Sequence, residues 1–499
     1  MDDEKIRIRL ISNAFSGMLE VSSLRGIEAI GQLFDFSIDC VLEASDQVET
    51  GRLVDPRARA GLLFLRGNEI LRVVWGRVVE AKQRLAIQED QRDITIRFVP
   101  RAWSTTIHER TEAYVGSAPQ IIARVMKRAL LTPDADFQLR LSGDYPEREF
   151  VLQYHETDLG FLQRLCEHWG IYFFFEHGKR DKWVFCDDNE GIMDVAVSPP
   201  EPEGEESTDD DAEQPANPGS EHTSVAYAPF DEVGLGRRLG VQQFFRIERA
   251  LPSAFGTHDY NYRTPTVNLQ ASAPVSGNGD GLVIEYGLHF KTPDEGQFFA
   301  TRRAEALLAQ QTTYEGASNL PAFRAGGTLT LEDHPDQDFD LLVTQVEHAV
   351  EQGGYTNRFR TQLSSVKYRA PVVSPRPRIP GLCTGIIVGT TPTEPMIDDE
   401  GRYEVSLLFD AVDPGETRAS RPIRMMQPHT GPDYGMHFPL KPGTEVAIAF
   451  INGDPDRPVI VGSIPNPITP SPVRGSRLNT SRNILKSMSG VLLEMDDDA

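Results

Sequence analysis

The sequence predicts a mainly β protein with minor α, and three observations carry that prediction. Runs of Val, Ile, Leu and Phe alternate with polar residues along much of the chain, the period-2 pattern of half-buried strands. The 41 glycines and 35 prolines supply the turns that many short strands need. Helical spacing is confined to three segments.

The first strands are expected at 6–10, where Ile6, Ile8 and Leu10 alternate with Arg7 and Arg9, and at 33–42, where Phe34, Phe36, Ile38, Cys40 and Leu42 take every second position. Residues 62–80 and 92–100 read as further strands of a barrel or curved sheet. Ser117 and Pro119 open a helix whose Ile121, Ile122, Val125, Met126 and Leu130 share one face. A second helix starts at Thr157-Asp158 and carries Leu159, Leu162, Leu165, Cys166 and Trp169 on one side. It stops at Gly170, where a residue able to turn left-handed is wanted. A hairpin follows at once: IYFFFEH, the connection GKR, and DKWVFCD.

Residues 199–222 hold nine acids and no Lys or Arg. Such a stretch buries too little apolar area to order itself and reads as a loop. Strands are expected again at 241–250, 282–290, 326–331 and 340–350, with a helix over 294–312. The Pro-rich segment 371–381 is a stiff connection and marks a domain boundary. Beyond it, five short strands at close spacing predict a small closed or partly open barrel. After a polar tail from about 470, Val491, Leu492, Leu493 and Met495 form an apolar strand.

Charge and motifs narrow the function. The net charge of -24, from 50 basic and 74 acidic residues, disfavours nucleic acid and anionic membranes as partners. Cys40, Cys166, Cys186 and Cys383 lie far apart with no CxxC pair, so no zinc ribbon, redox dithiol or disulfide framework is expected. The opening MDDEKIRIRLIS lacks a basic segment ahead of an apolar core, and no run of about 18 apolar residues occurs, so neither a signal peptide nor a helical membrane span is expected. His108-Glu109 does not extend to HExxH, and neither a GxSxG elbow nor a phosphate-binding loop is present. His155 and His168 read as surface or hydrogen-bonded residues, Trp169 as core, and Tyr172–Phe175 as a strand packed on both faces. The GDPDRP loop at 453–458 reads as turn chemistry between two strands rather than a metal site. Catalytic, metal and cofactor-binding residues are therefore all expected to be none.

Several segments together resemble the VgrG spike proteins of type VI secretion and the phage tail hub-and-spike family. They are GIEAIGQLFDFSIDC (26–40), QYHETDLGFLQRLCEHWGIYFFFEH (153–177), HDYNYRTP (258–265, a short tyrosine-containing strand in the family), LTLEDHPDQDFDLLVTQVEHAV (329–350), GRYEVSLLFD (401–410) and FPLKPGTEVAIAFINGDPDRPVIVGSIPNP (438–467). The resemblance implies phage-tail-hub-like barrels over 1–375, with the acidic loop at 199–222, then an OB-type β-barrel over 376–470. It implies that 471–499 is a linker and the first strand of a β-helix needle. It further implies a non-enzymatic homotrimer that docks a six-fold, Hcp-like tube protein, meets baseplate proteins and a PAAR-like tip, and carries effector cargo. Such a protein is cytoplasmic during assembly, then secreted or injected. The baseplate hub of a phage or phage-like particle is the alternative, and a cell-wall hydrolase a lesser one. Leu492, Leu493 and Met495 are the candidate trimer contact, because a lone apolar strand needs partners.

Overall fold

The computed structural model describes residues 5–43, 48–83, 91–192, 223–229, 239–351, 354–410, 420–473 and 480–497. The acidic stretch 199–222 lies outside the described residues. The chain opens with β1 (Ile6–Ser12), β2 (Leu19–Ala29), β3 (Asp35–Glu43), the one-turn α1 (Thr50–Leu53), β4 (Ala60–Arg66), β5 (Glu69–Gln83) and β6 (Gln91–Val99). Next come β7 (Glu109–Gly116), α2 (Ala118–Arg128), β8 (Phe137–Arg140), β9 (Arg148–Thr157) and α3 (Asp158–Trp169). Then follow β10 (Tyr172–His177), β11 (Asp181–Cys186), β12 (Ser224–Ala226), β13 (Val241–Glu248), β14 (Ala254–Asp259), β15 (Leu269–Pro274) and β16 (Leu282–Tyr286). After α4 (Pro293–Leu308) come β17 (Thr312–Ser318), β18 (Thr328–Glu332), β19 (Phe339–Glu351) and β20 (Gly354–Leu363). The rest is β21 (Cys383–Ile387), β22 (Tyr403–Leu407), β23 (Ser420–Ile423), β24 (Thr430–Gly431), β25 (Tyr434–Gly435), β26 (Glu445–Phe450), β27 (Pro458–Ser463), β28 (Arg482–Lys486) and β29 (Leu492–Asp496).

The chain forms two compact units. The first holds 1–107, 118–145 and 162–374; the second holds 108–117, 146–161 and 375–499. The main division thus falls at the Pro-rich connection, but the second unit also takes two early segments that the sequence does not mark.

In the first unit the strand order β1–β4–β5–β6–β3–β2 closes into a barrel, because β1 also pairs with β2 through Arg9↔Glu20 and Leu10↔Leu19. The alternation read from the sequence sorts inside from outside: Leu10, Phe36, Ile38, Leu62, Phe64 and Ile96 are fully buried. β2 then continues the sheet. Its other edge pairs with β19 through Leu24↔Val350, Gly26↔His348 and Glu28↔Val346. β19 leads on to β20, β17 and β13, while β18 and β12 extend the sheet along the first part of β19. The ends of this second, half-open barrel meet at the bridge Tyr227↔Val241, where the Ala228 amide donates to the Val241 carbonyl at 2.8 Å. One sheet therefore builds both barrels, and β2 against β19 is their seam.

The seam holds a buried charge network. Arg72 Nη2 on β5 reaches both Glu28 carboxylate oxygens, at 2.6 and 2.8 Å, and its Nη1 donates to the Phe323 carbonyl at 2.8 Å. His348 Nε2 lies 2.9 Å from Glu28, and its Nδ1 lies 2.7 Å from the Tyr355 hydroxyl. Asn357 Nδ2 donates to that hydroxyl and to the Leu320 carbonyl. The pattern suits a neutral ring that accepts the Tyr355 hydroxyl proton at Nδ1 and carries its own proton on Nε2, beside Glu28. Burial would raise the Glu28 carboxyl, but Arg72 and then His348 outweigh it and hold the group well below the usual carboxylate range. Burial pushes His348 below its ordinary value against the pull of Glu28.

Gly26 has a steric reason at the same place. A Cβ there would lie 2.0 Å from the Phe36 ring, and that ring packs 5.5 Å from His348. Three further features complete the unit. The helix α3 ends as read: Gly170 sits at φ +68°, and the Ile171 amide returns to the Cys166 carbonyl at 2.8 Å. Tyr172 to Phe175 are buried on both faces of β10. The layer β15–β14–β16 carries α4, whose N-cap Thr292 accepts from the Glu295 amide. The strand read at 258–265 is displaced: β14 ends at Asp259, and 260–265 form turns, as Asn261, Thr264 and Pro265 favour.

In the second unit the order β23–β22–β21–β26–β27 closes where the Met426 amide donates to the Ile460 carbonyl and the Ile460 amide to that of Arg424, at 2.8 and 2.9 Å. The early segments supply β7 and β9, whose Ala113 and Leu152 enter the barrel's core cluster with Tyr403, Val405 and Ile448. Carboxylates hold them there. Asp410 accepts the Ala113 amide at 2.9 Å, and Asp456 of the GDPDRP loop accepts the Leu152 amide at 2.7 Å. Arg421 donates to the Ala113 carbonyl at 2.9 Å. That loop is thus a clamp on β9 as well as a turn.

Two outcomes follow. Burial makes His348 harder to protonate in the fold than in the unfolded chain, where it takes its proton near pH ~6.5. Its contribution to stability is therefore lost as the pH falls below about 6.5, by up to about 1.4 kcal/mol per pH unit. His348→Gln should flatten the fall of the urea midpoint between pH 7 and pH 5, and an unchanged slope would contradict this assignment. Asp456→Ala should cost about 1.5–3 kcal/mol, the usual loss for a hydrogen bond to a charged group, read as a lower unfolding midpoint of the second unit.

Candidate assembly interface

The candidate residues fall on a terminal hairpin, not on a lone strand. β28 pairs antiparallel with β29 through Arg482↔Asp496, Asn483↔Met495, Ile484↔Glu494, Leu485↔Leu493 and Lys486↔Leu492. The turn closes through the Ser487 amide to the Val491 carbonyl at 2.8 Å, and Gly490 takes φ +94°. In the sequence 482–486 reads as polar tail, because Arg482, Asn483 and Lys486 hide the short Ile484-Leu485 core of that strand.

The register divides the three candidates. Opposite residues share a face and neighbours along a strand do not. Leu493 and Met495 therefore lie on one face with Leu485 and Val491. Leu492 lies on the other, among Arg482, Ile484, Lys486, Glu494 and Asp496. On that second face Arg482 Nε pairs with Glu494 at 3.2 Å and approaches Asp496 at 3.8 Å. Exposed pairs of this kind stabilise little.

The first face also carries Asn483, opposite Met495, but its remaining side chains are apolar and open: Leu485 is 47% exposed, Val491 72%, Leu493 55% and Met495 54%. Every residue of β29 is exposed. A two-stranded hairpin is marginal by itself in water, so this face gains most from cover. The missed signal was the spacing Val491, Leu493, Met495, an alternation that Leu492 interrupts in sequence but not in space.

His155 is exposed and 3.6 Å from Glu109. His168 packs against Trp169 and Phe299, with ring centroids at 5.6 and 4.8 Å. Cys40, Cys166 and Cys186 are buried and Cys383 half-buried, all as free thiols. Burial pushes the Cys40 and Cys186 thiols up to about 12, far from a reactive thiolate.

Comparison with known proteins agrees with this layout. The phage tail baseplate hub (GPD) family matches residues 27–354, and the type VI secretion system/phage-baseplate injector OB domain matches 391–464. Type VI secretion system spike proteins of Pseudomonas aeruginosa are similar. VgrG5 is 28% identical over 477 residues, covering 89% of this chain and 55% of its own, and VgrG4b is 27% identical over 400 residues, covering 75% and 46%. The chain spans about half the length of these curated relatives. Among solved structures, an Escherichia coli type VI secretion component described as similar to the T4 bacteriophage tail proteins gp27 and gp5 shares the fold. Its TM-score is 0.64 at 21% identity, over 91% of this chain and 99% of that one. The Francisella PdpA–VgrG complex shares it too, with TM-score 0.57 at 11% identity over 99% of this chain and 76% of that one.

Proposed function

The chain belongs to the phage tail baseplate hub family, and on that premise we propose that it is the homotrimeric hub and spike base of a contractile injection machine of the type VI secretion kind. The observation that carries the reading is the order of parts: two barrels sharing one sheet, then an OB barrel, then an exposed hairpin. Each chain brings two barrels, so three chains present six. That number suits a six-fold, Hcp-like tube on one side and a three-fold needle on the other. In this reading 1–375 is the hub, 376–470 the OB-type domain, and 471–499 the start of the needle.

The chemistry is assembly without catalysis. The chain assembles in the cytoplasm with baseplate proteins, and contraction expels it with a PAAR-like tip and effector cargo. Leu493 and Met495, with Leu485 and Val491, form the trimer contact near the axis, and Leu492 flanks it. Subunits of a permanent assembly bury about 2,000 Å² or more, so the hairpin is one contact among several. The baseplate hub of a phage-like particle is the same device in another machine.

Light scattering on the purified chain should give three times the 55.6 kDa subunit mass. Leu493→Asp with Met495→Asp should weaken the trimer at least tenfold in a dilution series. A monomer at every concentration would overturn the hub reading. An unaffected double variant would remove the hairpin from the interface.

A further inference from the structure

At the tip of the hairpin β10–β11, His177 stands opposite Asp181 across the connection 178–180. Both side chains reach back to the first barrel. His177 Nδ1 accepts the Trp75 amide of β5 at 3.1 Å. That amide sits where β5 passes from pairing with β4 to pairing with β6. Asp181 accepts the Arg101 amide at 2.8 Å and the Arg101 Nε at 2.7 Å, just past β6. Arg101 also donates to Asp136 at 2.8 Å, and Arg180 of the connection pairs with the same carboxylate at 3.1 Å.

The His177 contact works in one protonation state only. A ring nitrogen that accepts a hydrogen bond carries no proton, so the ring's own proton sits on Nε2. Nε2 is shut from solvent and has no acceptor among the described residues. A second proton must go to Nδ1, where it meets the Trp75 N–H head-on. The Phe34 ring lies 5.4 Å from the imidazole and offers the charged form no hydrogen bond. The charged groups that face His177 are Glu28 from β2, Arg72 from β5 and Arg324 from the segment ahead of β18. Burial opposes the charged ring most, Glu28 favours it, and the two arginines add to burial, so the ring is pushed down to about 3. Glu28 is already committed to Arg72 and His348. On the hairpin itself Glu176 is drawn off by Arg140, at 2.7 and 2.8 Å. Burial pushes the Asp181 carboxyl above its usual value against the pull of Arg101, so the two contacts at the tip need separate variants.

We propose that the tip of the hairpin β10–β11 is an acid-released latch on the first barrel, with His177 as its trigger. The inference does not depend on the trimeric reading. Protonation removes the bond to Trp75 and places a third positive charge beside Arg72 and Arg324. The released tip opens the seam network of Glu28 and Arg72 to water from the His177 side. The sign follows from the depressed proton affinity. The latch holds fully above pH ~6.5, the ordinary histidine value, and loosens as the pH falls from there toward about 3. The open fraction grows by up to about tenfold per pH unit over that window.

The test is a spin label on Lys179→Cys in the full chain, since Lys179 is an exposed residue of the connection. Labelling the parent without that cysteine corrects for the native thiols. The mobile fraction should rise as the pH is lowered from 7 to 5, while circular dichroism stays unchanged. His177→Gln keeps an oxygen to accept the Trp75 amide but takes no proton, and should hold the label still at every pH. Asp181→Asn removes the neighbouring carboxylate and should leave the rise in place. A label that stays still in the parent would overturn the latch, and this outcome decides even if a variant fails to fold. A rise that coincides with loss of the whole fold would overturn it too. A rise that persists in His177→Gln, or vanishes in Asp181→Asn, would take the trigger away from His177.

Discussion

The strand β2 is shared. It closes the first barrel against β1 and β3, and its far edge founds the second barrel by pairing with β19. A strand serving two cores cannot slip, because a one-residue shift would turn Leu24 and Glu28 out of both interiors at once. Two devices hold it. Gly26 lets the Phe36 ring cross the seam without a clash, and the Arg72–Glu28–His348 network ties β2 to β5, β19 and, through Tyr355, β20. Removing one partner of a buried ion pair strands the other, at a cost of about 3–5 kcal/mol. The network is thus better read as a register pin than as a source of net stability.

That constraint suits a part that transmits force. Barrels joined by a flexible linker would move independently. Barrels cut from one hydrogen-bonded sheet share their backbone ladder, so load on one reaches the other through β19 and β20. The second unit follows the same logic by another route. Its barrel draws in β7 and β9, segments more than 200 residues earlier in the chain, and fixes them with Asp410 and Asp456. A long sequence excursion becomes part of a small domain, and the chain is threaded twice through that core.

Much of this was legible in the sequence where the local pattern is strong. Phe34, Phe36, Ile38 and Cys40 alternate without interruption, and Gly170 stops α3 where a left-handed residue is needed. The distant pairings were not legible. Nothing near Leu152 announces a partner some 300 residues on, because a backbone amide looks the same whatever accepts its bond. Glu28 reads as a surface acid until Arg72 and His348 arrive from other strands. The candidate interface was half legible. The apolar end of the chain was evident, but its period was hidden by Leu492, and its partner strand by Arg482, Asn483 and Lys486.

The central claim is that each subunit supplies two barrels of one sheet to a closed ring. Averaged electron micrographs of the purified chain, viewed down the symmetry axis, test it most directly. The account predicts six lobes around an opening, in three equivalent pairs. A ring with one lobe per chain, or particles with no three-fold symmetry, would contradict it.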